Sequence, residues 1–372
     1  MLPESARQEL EKQQYRIIGS HSAIKICGWT KKMIRGEGAC YKHSFYGINS
    51  SQCMQMTTSL SCANRCIFCW RGFKEPVSKE WKGEIDDPES IIEGGLFSQK
   101  KLLEGYKGWK STIMKIFGDS HEIKHAALSL TGEPIIYPKI NELISLLHKK
   151  KISTFLVTNG QYPEQLKDLK PVTQLYVSVD APTKELMKKI DKPLFADYWK
   201  RLDKSLGYLA QKNDRTCIRL TMIKGMNMDN ITEYVKLIKK GDPDFVEAKG
   251  YMFVGSSRQR LEKENMPFHE DVVDFSKRLE NELNDYEIAG EHILSRVVLL
   301  AKKRYNKKDN GKDNWHTWID FDRFFELTNS GNEFSNGKNI KRDYYLRMTP
   351  KKYVGISGKG TRERIGSYKK KR

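Results

Sequence analysis

The chain has 372 residues, 38% hydrophobic and 30% charged, with 66 Lys and Arg against 47 Asp and Glu for a net charge of +19. No run approaches the roughly 20 apolar residues of a membrane span, and the opening MLPESARQELEKQQY is too polar for a signal or transit peptide. A cytoplasmic protein is expected, and its positive excess points to a polyanion, most simply a nucleic acid.

Six of the seven cysteines fall in the first 69 residues, at Cys27, Cys40, Cys53, Cys62, Cys66 and Cys69. In a reducing compartment such clustering favours metal ligands over disulfides. Beyond them, short β-rich runs alternate with longer helical patterns. CMQMTTSLS (53–61), HAALSL (125–130), STFLVTN (153–159), QLYVSVD (174–180), TCIRLTMI (216–223) and FVEAKGYMFV (245–254) are each followed by a helical stretch. Six such units with apolar strands imply a parallel sheet under helices. Periodicity leaves open whether the sheet is doubly wound or an incomplete (β/α) barrel. TGEP (131–134), TNG (158–160) and SVDAP (178–182) end three of the strands, on the edge where parallel α/β folds place ligands. Cys217 lies within a strand pattern and reads as an inert core residue. The segment from Lys338 to Arg372 holds thirteen Lys or Arg against Asp343 and Glu363, as a phosphate-binding tail would.

Cys62, Cys66 and Cys69 form C-x3-C-x2-C at the end of the first strand. Three thiolates on so short a loop suit an iron–sulfur cluster that leaves one iron open; a zinc site, which needs a fourth ligand, is the competing reading. Phe68 places an aromatic beside that centre. This pattern resembles the radical S-adenosylmethionine (SAM) superfamily, whose signature is C-x3-C-x-aromatic-C after the first strand of an incomplete (β/α)6 TIM-like barrel. The resemblance spans most of residues 53–254. It implies that SAM binds the open iron, that Phe68 stacks on the adenine, and that Gly132 and Glu133 meet the methionine amino group. It further implies that Thr158, Asn159, Ser178 and Asp180 line the cofactor and that Arg219 reaches its carboxylate.

Cys27, Cys40 and Cys53 form C-x12-C-x12-C, with intervening loops rich in Gly, Lys and Tyr rather than core residues. A second cluster is expected there, making two [4Fe-4S] centres. The two cysteine patterns together, with SLTGEPIIYP, FLVTNGQ, SVDAPTKE and VEAKGYMFVGSS, resemble the tRNA 4-demethylwyosine synthases. That family joins N1-methylguanosine-37 of phenylalanine tRNA to two carbons of pyruvate, a carbon–carbon lyase reaction of wybutosine biosynthesis. Eukaryotic members carry a flavodoxin-like domain before the barrel; this chain is similar to the stand-alone archaeal form, which implies an external one-electron donor and a monomer. Lys42, two residues after Cys40, is implied as the amine that forms a Schiff base with pyruvate. His43 receives no role.

Three parts are expected: residues 1–52 with the auxiliary cluster ligands, 53–285 as the radical SAM partial barrel, and 286–372 as a basic extension that binds tRNA. The rival readings are another two-cluster radical SAM enzyme, such as a tRNA methylthiotransferase, and a non-catalytic zinc RNA-binding protein.

Overall fold

A computed structural model describes residues 2–72, 76–329 and 342–356. Its main element is a sheet of ten strands: β1 (Arg16–Ile18), β2 (Ser22–Ile24), β3 (Cys53–Thr57), β4 (His125–Leu128), β5 (Ser153–Thr158), β6 (Gln174–Ser178), β7 (Thr216–Met222), β8 (Phe245–Gly250), β9 (Tyr286–His292) and β10 (Val297–Lys302). Strands β3 to β8 are the six expected from the sequence. They are parallel and lie side by side in chain order. A doubly wound sheet would reverse direction at a switch point. None occurs, so the core is the incomplete (β/α)6 barrel.

Four further strands extend it. β1 and β2 add antiparallel at the β3 edge, and the hairpin β9–β10 adds antiparallel beyond β8. The sheet therefore runs across both expected boundaries, at 52/53 and 285/286. A two-stranded sheet, β11 (Trp318–Ile319) with β12 (Leu346–Arg347), follows. The tail from residue 357, and residues 330–341 before it, lie outside the described residues.

The strands owe their stability to burial on both faces. Leu156, Leu175, Val177, Ile218, Leu220, Val246 and Ala248 face the crossover helices and are fully buried. Each large side chain of this kind contributes about 1.5–3 kcal/mol. The helices begin and end on ordinary signals: Asp87 caps Pro88–Leu103, accepting from the Glu89 and Ser90 N–H groups at 3.0 and 3.2 Å.

The alternate residues point to the inner face. There Phe155, Tyr176, Cys217 and Phe245 pack against the helix Tyr41–Tyr46 and against Tyr305, Trp315, Phe324 and Tyr345. This plug fills one end of the barrel. Towards the other end, Gln55, Val157, Ser178, Arg219 and Lys249 are only half-buried among buried neighbours, so an accessible space lies over that part of the inner face.

Candidate active site

The loop after β3 carries Cys62, Cys66 and Cys69, and it is clamped along its length. Arg65 N–H donates to Asp191 O at 2.9 Å and Ile67 N–H to Ile190 O at 2.8 Å. Arg260 donates through Nε to Ile67 O at 2.9 Å and through Nη2 to Cys69 O. Arg71 donates to Leu60 O at 3.3 Å and Asn64 O at 3.0 Å. A loop without regular structure must satisfy its backbone groups in this way if it is to stay in one shape. Burial pushes the Cys62 thiol up to about 11, and it pushes Cys66 well up too, reinforced by Asp191 and by the Cys69 and Cys62 thiols.

Gly132 and Glu133 sit against this loop. Gly132 has φ +69°, and a Cβ there would lie 1.8 Å from Ser59 O, so only glycine fits. Glu133 N–H donates to Ser61 O at 2.8 Å. Its Oε2 accepts the Asn159 N–H at 2.8 Å, whereas Oε1 is buried without a partner. Burial raises the carboxyl to about 7 against the opposing pull of the Asn159 N–H. The Asn159 side chain reaches back to Cys62, its Nδ2 donating to Sγ at 3.5 Å. Thr158 is buried and accepts the Gly160 N–H at 3.2 Å, a turn contact.

Ser178 pairs in register with Arg219, which pairs with Glu247 on β8. Asp180 accepts the Thr221 N–H at 3.0 Å, and Asn227 donates to its carbonyl at 2.7 Å. Burial raises its carboxyl. Phe68 is half-buried and packs on the main core. The fold thus gathers Glu133, Asn159 and Cys62 into direct contact and sets Ser178 beside Arg219 across two strands. Asp191, Arg71 and Arg260 were not anticipated. Asp191 is buried beside Cys66 with Oδ1 unpartnered, and it precedes the helix Tyr198–Ala210 in a stretch with no motif to mark it.

The second trio lies at the opposite end of β3. Cys53 is its first residue, and Cys27 and Cys40 each immediately precede a short helix. From Cys53 to Thr57 the strand rises roughly 13 Å at ~3.3 Å per residue before the chain enters the loop that carries the first trio. Burial raises the Cys53 thiol strongly, and the Cys40 and Cys27 thiols raise it further. Lys42 opposes them. Its Nζ lies 4.8 Å from the Tyr176 ring centroid and 5.4 Å from that of Phe155, on the inner face rather than at the surface. His43 is engaged through both nitrogens, with Ile48 O and the Tyr353 hydroxyl. Among the described residues no three His, Cys, Asp or Glu side chains are drawn together as around a single metal ion. A cubane asks for neighbouring thiolates, each on a different iron; the Cys53 thiol is raised in part by Cys40 and Cys27, and that of Cys66 in part by Cys69 and Cys62.

On the outside, Arg16, Lys31, Ile26, Leu102, Tyr106 and Trp109 line a groove of about 340 Å³. Lys31 lies 5.4 Å from the Tyr106 ring and Arg35 5.1 Å from that of Trp109, while Tyr106 and Trp109 meet edge to face at 4.5 Å.

Two family models match the chain: the radical SAM superfamily over residues 56–238 and wyosine base formation over residues 240–302. A solved TYW1 structure with a lysine–pyruvate adduct bound is 37% identical, with a TM-score of 0.75, over 84% of this chain and 99% of that one. The chain belongs to the TYW1 family. A crystal structure of archaeal TYW1 is 33% identical at a TM-score of 0.67, again over 84% of this chain and all of that one. The S-adenosyl-L-methionine-dependent tRNA 4-demethylwyosine synthase of Oryza sativa subsp. japonica is 51% identical over 92% of this chain and 52% of its own length. The chain spans about half the length of the curated TYW1 relatives it matches.

Membership of the radical SAM superfamily brings SAM and an iron–sulfur cluster as cofactors. The residues present fit them. Glu133 Oε1 is a buried acceptor without a donor, as an ammonium group requires, and Gly132 lets its turn pack directly on the Ser59 backbone. The buried thiols, held neutral by their surroundings, are ones that give up their protons on binding iron. Among the described residues no helix is long and apolar enough to cross a membrane.

Proposed function

We propose that this chain is a tRNA 4-demethylwyosine synthase, condensing N1-methylguanosine-37 of phenylalanine tRNA with two carbons of pyruvate. Cys62, Cys66 and Cys69 would hold the cluster that binds SAM, and Cys27, Cys40 and Cys53 a second [4Fe-4S] cluster. Together the first cluster and SAM supply, when bound, radical removal of hydrogen from an N-methyl group that no side-chain base deprotonates at neutral pH. The remaining work falls to the chain. Glu133 takes the SAM ammonium on its unpartnered oxygen, with Gly132 beside it in the turn that packs on Ser59. Asn159, Ser178 and Asp180 line the cofactor, Asp180 on its ribose hydroxyls, with Thr158 shaping the turn beneath. Phe68 covers the adenine and Arg219 meets the carboxylate.

The observation that carries this reading is the position of Lys42. Its amine stands on the inner face over Tyr176, in the short helix that Cys40 precedes. Addition of that amine to the pyruvate carbonyl, with loss of water, gives an imine and fixes the carbon to be attacked. Phe155 and Tyr176 beneath it exclude water from that bond. A related solved structure carries a lysine–pyruvate adduct.

The target base leaves its stack to enter the barrel. The groove with Arg16 and Lys31 beside Tyr106 and Trp109 offers cations for phosphate and rings for neighbouring bases. Residues 1–52, 53–285 and 286–372 would divide the labour as auxiliary-cluster segment, radical SAM barrel and tRNA-binding extension. The enzyme would act as a cytoplasmic monomer with an external one-electron donor. A methylthiotransferase loses ground to this reading because the wyosine base formation model matches residues 240–302.

The test is anaerobic incubation of the protein with N1-methylguanosine-37 tRNA, SAM, reductant and pyruvate, followed by nucleoside mass analysis. 4-Demethylwyosine is expected. Intact N1-methylguanosine in the presence of steady SAM cleavage would overturn the reading.

A further inference from the structure

Buried cations are normally paired. Two half-buried ones on the inner face are not, among the described residues. Arg219 on β7 and Lys249 on β8 stand on the same side of adjacent strands, where Arg219 is in register with Glu247 and Thr221 with Lys249. Neither makes an ion pair among the described residues. Arg219 Nε is buried with no partner, and Lys249 Nζ donates only to Ser295 O, at 3.1 Å. Glu247 accepts the Tyr46 hydroxyl at 2.8 Å on one oxygen and keeps the other buried without a hydrogen-bond partner, and Asp180 accepts the Thr221 N–H. Burial, then the positive charge of Arg219, lowers the Lys249 amine to about 7. An anion arriving at this amine would restore its charge and relieve both costs.

The position of Lys249 decides which anion. Its Nζ lies 5.7 Å from the ring of Tyr41, the residue between Cys40 and Lys42. Lys42 itself stands 4.8 Å from the Tyr176 ring on the same inner face. Two amines thus flank the upstream trio, from parts of the chain about two hundred residues apart in sequence. A 2-oxo acid presents a carbonyl and a carboxylate on adjacent carbons. Once Lys42 takes the carbonyl, the carboxylate remains in a poorly hydrated interior and needs a fixed cation.

We propose that Lys249 binds the carboxylate of the 2-oxo acid co-substrate and so turns its carbonyl towards Lys42. The inference rests on the proposed reaction. A lysine ammonium has three donors; the bond to Ser295 O fixes its direction and leaves others for the ligand.

Borohydride trapping of labelled pyruvate, mapped by peptide mass, reads this directly. The concentration giving half-maximal label on Lys42 is measured for the wild type, Lys249→Met and Lys249→Gln, with pyruvamide as the uncharged probe. Gln keeps a donor for Ser295 O without the charge, so it carries the test if Met unfolds the site. Both variants should need about 10-fold more pyruvate or beyond, the loss of one charge-assisted hydrogen bond, with pyruvamide unaffected. Lys249→Arg should recover part of the loss. Trapping of pyruvate by Lys249→Gln at wild-type concentrations, or label mapped to Lys249 itself, would overturn the proposal. If the wild type traps pyruvate on Lys42 with this charge preference yet makes no 4-demethylwyosine, the assigned reaction falls and the carboxylate site stands. No trapping by the wild type would remove both.

Discussion

The main-chain N–H of Asn159 donates to Glu133 at 2.8 Å, while its side chain reaches the Cys62 sulfur at 3.5 Å. One residue therefore ties the carboxylate proposed to meet the cofactor to a thiol of the first trio. Glu133→Gln keeps an acceptor for Asn159 but removes the negative charge. SAM binding should weaken about 10-fold or more, the scale of a charge-assisted hydrogen bond. Equilibrium dialysis on the iron-loaded protein measures it; undiminished affinity would mean that the free Glu133 oxygen serves packing alone.

Gly132→Ala places a methyl group 1.8 Å from Ser59 O at a backbone angle that L residues avoid. Backbone strain alone costs about 1–3 kcal/mol, and the clash adds to it. A lower urea midpoint is expected, together with impaired cofactor binding. A variant as stable as the wild type would show that the turn can re-form elsewhere.

The two trios should fail separately. Cys66→Ala should abolish 5′-deoxyadenosine formation from SAM. Cys53→Ala should keep SAM cleavage under strong reductant while condensation with pyruvate stops. Iron content and product for the two variants side by side check this, and normal 4-demethylwyosine from Cys53→Ala would reduce the upstream trio to packing.

Lys31→Glu combined with Trp109→Ala should weaken tRNA binding and flatten its salt dependence, because fewer phosphate counterions are released. The slope of log affinity against log salt is the readout. An unchanged slope would send the search for the RNA surface away from this groove.

Acid should destabilise the protein early. His125 accepts the Asn49 N–H at 3.2 Å and His148 contacts the Thr154 hydroxyl at 2.8 Å; both are buried and lowered by burial from 6.5 to about 3. Below pH 6.5 the unfolded chain binds these protons and the folded one does not, so stability falls as pH drops from about 6.5 towards 3. Urea midpoints at pH 7, 5.5 and 4.5 should decline in that order, with a shallower decline in His148→Gln.

The six parallel strands and both cysteine trios were legible in the sequence, because apolar runs and close spacings are local properties of a chain. Gly132 was legible too, from the strand-end turn that contains it. What the sequence left open was non-local. Strand order, which separates a partial barrel from a doubly wound sheet, depends on hydrogen bonds between segments tens of residues apart. The hairpin β9–β10 was missed because VVLLA is an apolar run whose partner only the sheet identifies. Glu247 and Lys249 alternate visibly in FVEAKG, yet register alone decides that both point inward beside Arg219. Lys42 reads from sequence as a neighbour of Cys40; its seat over Tyr176 comes from the packing of the helix Tyr41–Tyr46 into the barrel. Local patterning named the cysteines proposed to bind metal and the strands, and only the closing of long loops could bring two lysines from distant parts of the chain to one face.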